Sequence, residues 1–71
     1  MIDYTLEMRV WVRVQLDNPR GWNVLRAKRD YLVTDIVQNR GNVEVKRELV
    51  SIINKGLVKM ERQYRQSRMA A

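Results

Sequence analysis

Residues 4–16 carry the most regular pattern in the chain. Every even position in this stretch is apolar, and every odd position except Trp11 is polar. The apolar positions are Tyr4, Leu6, Met8, Val10, Val12, Val14 and Leu16. An apolar residue at every second position is typical of a β-strand with one buried and one solvent-exposed face. The sequence therefore predicts a strand over residues 4–16, and this strand needs a partner for its backbone hydrogen bonds.

A helix is predicted over residues 22–38, because the apolar side chains of this stretch share one helical face. They are Trp22, Leu25, Leu32, Val33, Ile36 and Val37. Asn18 as N-cap with Pro19 at the first helical position is an alternative start. Gly41 suits a left-handed cap after the end of this helix.

A second helix is predicted over residues 43–66, with Asn42 as its N-cap. Its apolar stripe is Val45, Leu49, Ile52, Ile53, Gly56, Leu57, Met60 and Tyr64. Gly56 lowers helix propensity, so its place in the stripe indicates close approach of another backbone. The last few residues are expected to be frayed.

These elements predict an α+β fold in one small domain of 71 residues: one long N-terminal β-strand followed by two α-helices. Because the chain has no second strand of similar clarity, we expect the strand to pair antiparallel with the same strand of a second copy, as a homodimer. A chain of this size has a small hydrophobic core, and without cysteine it has no disulfides, so a partner subunit is the expected source of additional stability. The alternative is a monomeric β-α-β-α unit in which residues 43–46 form a short second strand.

The charge of the chain points to an anionic partner. Fourteen Lys and Arg residues against eight Asp and Glu residues give a net charge of +6, and most of the excess lies in residues 36–71. Such a balance attracts polyanions, with DNA as the first candidate and an acidic protein surface as the second. Arg62, Arg65 and Arg68 are three residues apart in the C-terminal helix. This row either contacts phosphates or complements the helix dipole.

The composition argues against catalysis. The chain contains no histidine and no cysteine, which removes the usual general base, thiol nucleophile and zinc ligands. Its three glycines are too far apart to form a phosphate-binding loop. We therefore expect no enzyme activity, no metal and no cofactor. No apolar run has the length of a membrane span or signal-peptide core, so a soluble cytoplasmic protein is expected.

The order of one strand and two helices resembles the ribbon-helix-helix family of transcriptional repressors. The likeness lies in residues 9–13 (RVWVR) as the ribbon and residues 39–43 (NRGNV) as the turn before the second helix. The resemblance implies a dimer whose paired strands enter the major groove of DNA. It also implies base contacts from the outward side chains, which are Arg9, Trp11, Arg13 and Gln15. The backbone amides of Asn42 and Val43 would then bind phosphate at the helix start.

Three functions remain open from the sequence. The first is a homodimeric DNA-binding transcription regulator of the kind found in phages and plasmids. The second is a small inhibitor or adaptor that docks on an acidic surface of a larger protein through Arg9, Trp11 and Arg13. RNA binding is the third, because Trp11, Trp22 and Tyr4 could stack on unpaired bases.

Overall fold

In a computed structural model, the described residues form three α-helices. The structure describes the backbone of residues 3–70 and the side chains of residues 3–66. Helix α1 spans Tyr4–Leu16, α2 spans Gly21–Val37 and α3 spans Val43–Ala70. No strand occurs among the described residues. The predicted α+β fold is therefore wrong, and so are the ribbon-helix-helix architecture and the β-α-β-α alternative.

The N-terminus of α1 shows why residues 4–16 form a helix. The carboxylate of Asp3 accepts hydrogen bonds from the backbone N–H groups of Thr5 and Leu6, both at 3.1 Å, and from the Thr5 hydroxyl at 2.7 Å. These bonds satisfy donors that a helix start leaves unpaired. The Thr5 hydroxyl, followed by the Leu6 amide, lowers the pKa of Asp3 below its ordinary value. Asp3 is thus the N-cap of α1.

The alternating pattern takes a different meaning in a helix. Two residues advance a helix by about 200°, so residues two apart point to nearly opposite sides. On one side of α1, Met8 and Val12 are buried against the other helices, although Tyr4 at the start of the helix is exposed. Leu6, Val10 and Val14 form an exposed apolar stripe on the outer side of α1. The described residues therefore offer no strand for the pairing on which the predicted homodimer depended. Helix α1 has instead a second, exposed apolar face.

Two short turns connect the helices. Asn18 closes the first turn, because its side-chain oxygen accepts a hydrogen bond from the Arg20 N–H at 3.0 Å. Helix α2 ends at Val37, and Asn39, two residues further on, has a left-handed φ of 55°. The N–H of Arg40 then donates to the carbonyl of Asp35 at 2.8 Å, as in a Schellman motif. Gly41 is also left-handed, with φ 66°, but the cap position predicted for it belongs to Asn39.

Helix α3 packs against both other helices. The buried core consists of Met8, Val12, Leu25, Leu32, Ile53 and Leu57. A Cβ atom on Gly56 would lie 2.5 Å from Cγ1 of Val12, so α1 approaches α3 closely here. A close neighbour was predicted at Gly56, but it is a side chain and not a backbone.

Contacts at both ends of the bundle fix the directions of the helices. Lys46, near the start of α3, donates to the Asp35 carboxylate at 2.9 Å near the end of α2. Gly21, at the start of α2, lies beside Met60 in the second half of α3. Helix α2 therefore runs antiparallel to α3. The chain reverses again between α1 and α2, so α1 runs parallel to α3.

The predicted helices agree with α2 and α3 in position. Asn42 accepts a hydrogen bond from the Val45 N–H at 3.2 Å, which confirms it as the N-cap of α3. Helix α3 continues to Ala70, four residues beyond its predicted end. The expected fraying concerns residues 67–71, which lie outside the described side chains, and it stays a prediction.

Candidate functional site

A groove between the parallel helices α1 and α3 gathers positive charge from both. Its floor includes Val12 and Gly56, whose close contact brings the two helices together. Its walls carry four cationic side chains, which we call the basic groove: Arg9, Arg13, Lys55 and Lys59. Arg9 and Arg13 are one helical turn apart on α1, and Lys55 and Lys59 are one turn apart on α3. The fold thus sets two short rows of cations side by side.

The charges of the basic groove are available to an external anion. All four residues are exposed, and none of them forms a salt bridge among the described side chains. Among the described side chains, Asp17 is the single carboxylate that lines the groove. Four positive charges therefore face one negative charge, and the groove has a net positive field that favours anionic ligands.

The outer face of α3 extends this positive surface. Lys55 and Lys59 also line a shallow depression on that face, together with Arg47 and Arg62. Arg62 was predicted as a binding residue, and it lies three residues after Lys59. Arg65 instead donates to Glu61 at 2.6 Å, so its charge is partly neutralised. The side chain of Arg68, also predicted to bind, lies outside the described residues.

An apolar pocket adjoins one end of the groove. It is lined by Trp22 of α2 and by Met60, Glu61, Gln63 and Tyr64 of α3. The two aromatic side chains are partly open to solvent, with 38% of Trp22 and 64% of Tyr64 exposed. Gln63 lines both the pocket and the basic groove, so the two surfaces are continuous.

Several predicted binding residues lie elsewhere. Gln15 is buried, and its side-chain oxygen accepts a hydrogen bond from Asn18 at 3.0 Å, so it faces the bundle and not solvent. Trp11 is half-buried against the core. Both corrections follow from the helical geometry of α1, which turns these odd positions inward.

The remaining predicted positions, Asn42 and Val43, begin α3. Val43 lies twelve residues before Lys55, which is about 18 Å along the helix. The side chain of Asn42 is engaged in its cap. The structure therefore does not bring these two residues into the basic groove, and their predicted contact with phosphate stays a prediction.

Sequence reasoning missed the two lysines of the groove and the place of Tyr64 in the pocket, whereas it named Trp22 as a residue that could stack on RNA bases. A signal for the lysines was present, because Lys55, Lys59 and Arg62 are spaced four and three residues apart on the predicted helix over residues 43–66. The strand prediction concealed their relation to Arg9 and Arg13. Only the parallel packing of α1 and α3 brings the two rows together.

Other kinds of site find no matching arrangement in the described part of the chain. The described side chains, those of residues 3–66, include no cluster of three or more suited to hold a metal ion. None of the three helices, over the residues described, is long and apolar enough to cross a membrane. Comparison with protein-family models, with curated proteins and with solved structures gave no significant match.

Proposed function

We propose that this chain is a non-catalytic DNA-binding protein whose basic groove contacts the phosphate backbone. The observation that carries the proposal is the set of four exposed cations, contributed by two helices, that line one groove without salt bridges. A row of phosphates has the charge and the repeated spacing to engage both walls at once. If the protein regulates transcription, it would do so by binding DNA and blocking access to the bound site.

Two properties of the groove suit phosphate. The guanidinium groups of Arg9 and Arg13 present forked donors, whereas Lys55 and Lys59 act as point charges. Each cation that neutralises a phosphate releases condensed counterions, which is the main source of affinity in such complexes. Contacts to phosphates carry no information about the base sequence. We therefore expect the four cations of the groove to bind DNA without strong sequence preference.

The test is a binding titration of a labelled DNA duplex by fluorescence anisotropy. We expect the double variant Lys55→Gln and Lys59→Gln to bind at least about tenfold more weakly than wild type, since each phosphate contact adds a counterion-release term. The matched control is Arg26→Gln with Lys28→Gln on α2, which removes the same charge outside the groove. Equal losses in both double variants would show that only net charge matters and would overturn the assignment to the groove.

A second candidate function is self-association through the outer side of α1. Leu6, Val10 and Val14 recur every fourth residue and are each more than half exposed. Glu7 lies on one flank of this stripe and Arg13 on the other, so a second copy aligned parallel would place opposite charges across the interface. We expect solution mass by light scattering to show dimers that Val10→Glu dissociates. A wild-type chain that is monomeric at all accessible concentrations would exclude this function.

A further inference from the structure

We propose that the basic groove and the adjoining apolar pocket form one binding surface for single-stranded nucleic acid, with unpaired bases stacked on Trp22 and Tyr64. The proposal rests on the proposed DNA-binding function and names the form of nucleic acid that the surface accepts. It uses two features that duplex binding leaves unexplained: the aromatic pocket and its position at the end of the groove.

The continuity of the two surfaces is the first step. Lys59 lies in the groove, Gln63 lies one helical turn further along α3, and Tyr64 follows at once in the pocket. Lys59 and Gln63 are therefore about 6 Å apart along the helix axis. If a nucleic-acid strand places its phosphates on Arg13 and Lys59, the bases of its next nucleotides can reach the pocket. Gln63 stands at the junction, with an amide that both donates and accepts hydrogen bonds.

The chemistry of the pocket fits a base. Trp22 and Tyr64 are aromatic and partly exposed, and Met60, which lines the same pocket, is flexible and polarisable. Among the described residues, Glu61 is the one carboxylate that lines the pocket, and it is paired with Arg65 at 2.6 Å. A bound strand also faces the carboxylate of Asp17 in the groove, where four cationic side chains outweigh it. Proteins that bind single strands combine these same two elements, a cationic track for the backbone and aromatic side chains for the bases.

A duplex cannot use the pocket in this way. Its bases are stacked on each other, and taking one out costs a few kcal/mol. Only phosphates would then be bound, and Trp22 and Tyr64 would contribute nothing. The structure therefore favours an unpaired strand, in which the base faces are already free to stack.

The experiment compares binding of three labelled ligands to the full chain: a short oligothymidine, the matching oligouridine, and a duplex of equal length. We expect both single strands to bind more tightly than the duplex. Tyr64→Leu should weaken single-strand binding about tenfold, equivalent to about 1.4 kcal/mol and within the range for one stacked base. Duplex binding by this variant should stay unchanged.

Matched controls isolate the aromatic pocket from general effects. Tyr31→Leu removes an equally exposed tyrosine, with 62% of its surface open against 64% for Tyr64, on the outer side of α2. It should bind single strands like wild type. Trp22→Phe keeps an aromatic face and should retain most of the affinity, whereas Trp22→Leu should lose it. Because Trp22 is only 38% exposed, thermal unfolding of both Trp22 variants is measured alongside. If these variants unfold, the result for Tyr64→Leu tests the proposal instead.

Each outcome has a defined meaning. Tighter single-strand binding that depends on Tyr64 but not on Tyr31 supports the proposal, whether thymidine or uridine is preferred. Equal affinity for duplex and single strand, unaffected by Tyr64→Leu, would overturn it and leave the DNA-binding function intact. Absence of salt-sensitive binding to all three ligands would overturn both. Binding of a small apolar dye at the pocket without any oligonucleotide effect would also overturn the single-strand assignment.

Discussion

The salt dependence of DNA binding follows quantitatively from the basic groove. If its four cations each neutralise one phosphate, log K should fall with log salt at a slope of about −3.6 for a duplex and about −2.8 for a single strand. Replacing Arg9 and Arg13 by Ala halves the number of cations, so the duplex slope should fall to about −1.8. Raising the salt fourfold should then weaken wild-type duplex binding about 150-fold but the double variant only about 12-fold.

The assay is fluorescence anisotropy at a series of salt concentrations for wild type, the Arg9 and Arg13 double variant, and a control. The control replaces Arg26 and Arg40 by Ala, which removes two exposed arginines outside the groove. Exposed substitutions of this kind change the free energy of unfolding by less than about 0.5 kcal/mol, so the fold should persist in both variants. An unchanged slope in the Arg9 and Arg13 variant, or the same reduction in the control, would refute the assignment of phosphate contacts to the groove.

Three further predictions concern stability. The pKa of Asp3 is lowered from its ordinary value of 3.8, so the stabilisation of α1 by this N-cap is fully present only above pH 3.8 and should be lost progressively as the pH falls below it. Circular dichroism should show this loss of helix in wild type but not in Asp3→Asn. Gly56→Ala should lower the free energy of unfolding by about 1 kcal/mol, since overpacking against Val12 exceeds the gain in helix propensity. In urea unfolding, the double variant Gly56→Ala with Val12→Ala should lose less stability than the sum of the losses of the two single variants. Lys46→Met should lower the free energy of unfolding by about 2 kcal/mol, because it leaves the mostly buried Asp35 carboxylate unpaired, and adding Asp35→Asn should restore part of that free energy. Fully additive effects, either for Gly56 with Val12 or for Lys46 with Asp35, would contradict the contact between the two residues.

The sequence predicted α2 and α3 because the apolar residues of each recur at helical spacing, although Val33 and Val37 of the predicted α2 face are exposed. Leu25 and Leu32 of α2 and Ile53 and Leu57 of α3 all reach the core as their spacing indicates. Periodicity failed in α1 because its apolar residues occupy two opposite faces, and two such faces in a helix give the same alternation as one face of a strand. The Asp3 cap was the local signal that distinguishes them, since a strand has no use for a side chain that satisfies successive N–H groups.

The candidate site depended on that same distinction. Arg9 and Arg13 were chosen as outward residues of a strand, and they remain exposed because they lie four apart, on one side of a helix. Gln15 did not stay exposed, since a two-residue step reverses direction in a helix but not in a strand. The pairing of Arg9 and Arg13 with lysines of α3 was beyond the sequence, because it depends on how closely Gly56 lets the two helices approach.

The outer stripe of α1 and the basic groove share a border, and this links the two candidate functions. Arg13 lines the groove and also flanks the stripe formed by Leu6, Val10 and Val14. In a parallel pair of copies, the second copy's Glu7 would lie near Arg13 and reduce the positive field of the groove. Self-association should therefore oppose nucleic-acid binding, and each equilibrium must weaken the other by the same factor.

This linkage is testable by light scattering with an excess of oligonucleotide. We expect the oligonucleotide to shift a dimeric wild-type chain towards monomers, and Glu7→Gln to reduce that shift, because the neutral side chain no longer competes with phosphate for Arg13. Oligonucleotide binding that leaves the dimer fraction unchanged would show that the stripe and the groove act independently. The apolar alternation of α1 would then serve two separate surfaces, one against the core and one for a partner that does not contact Arg13.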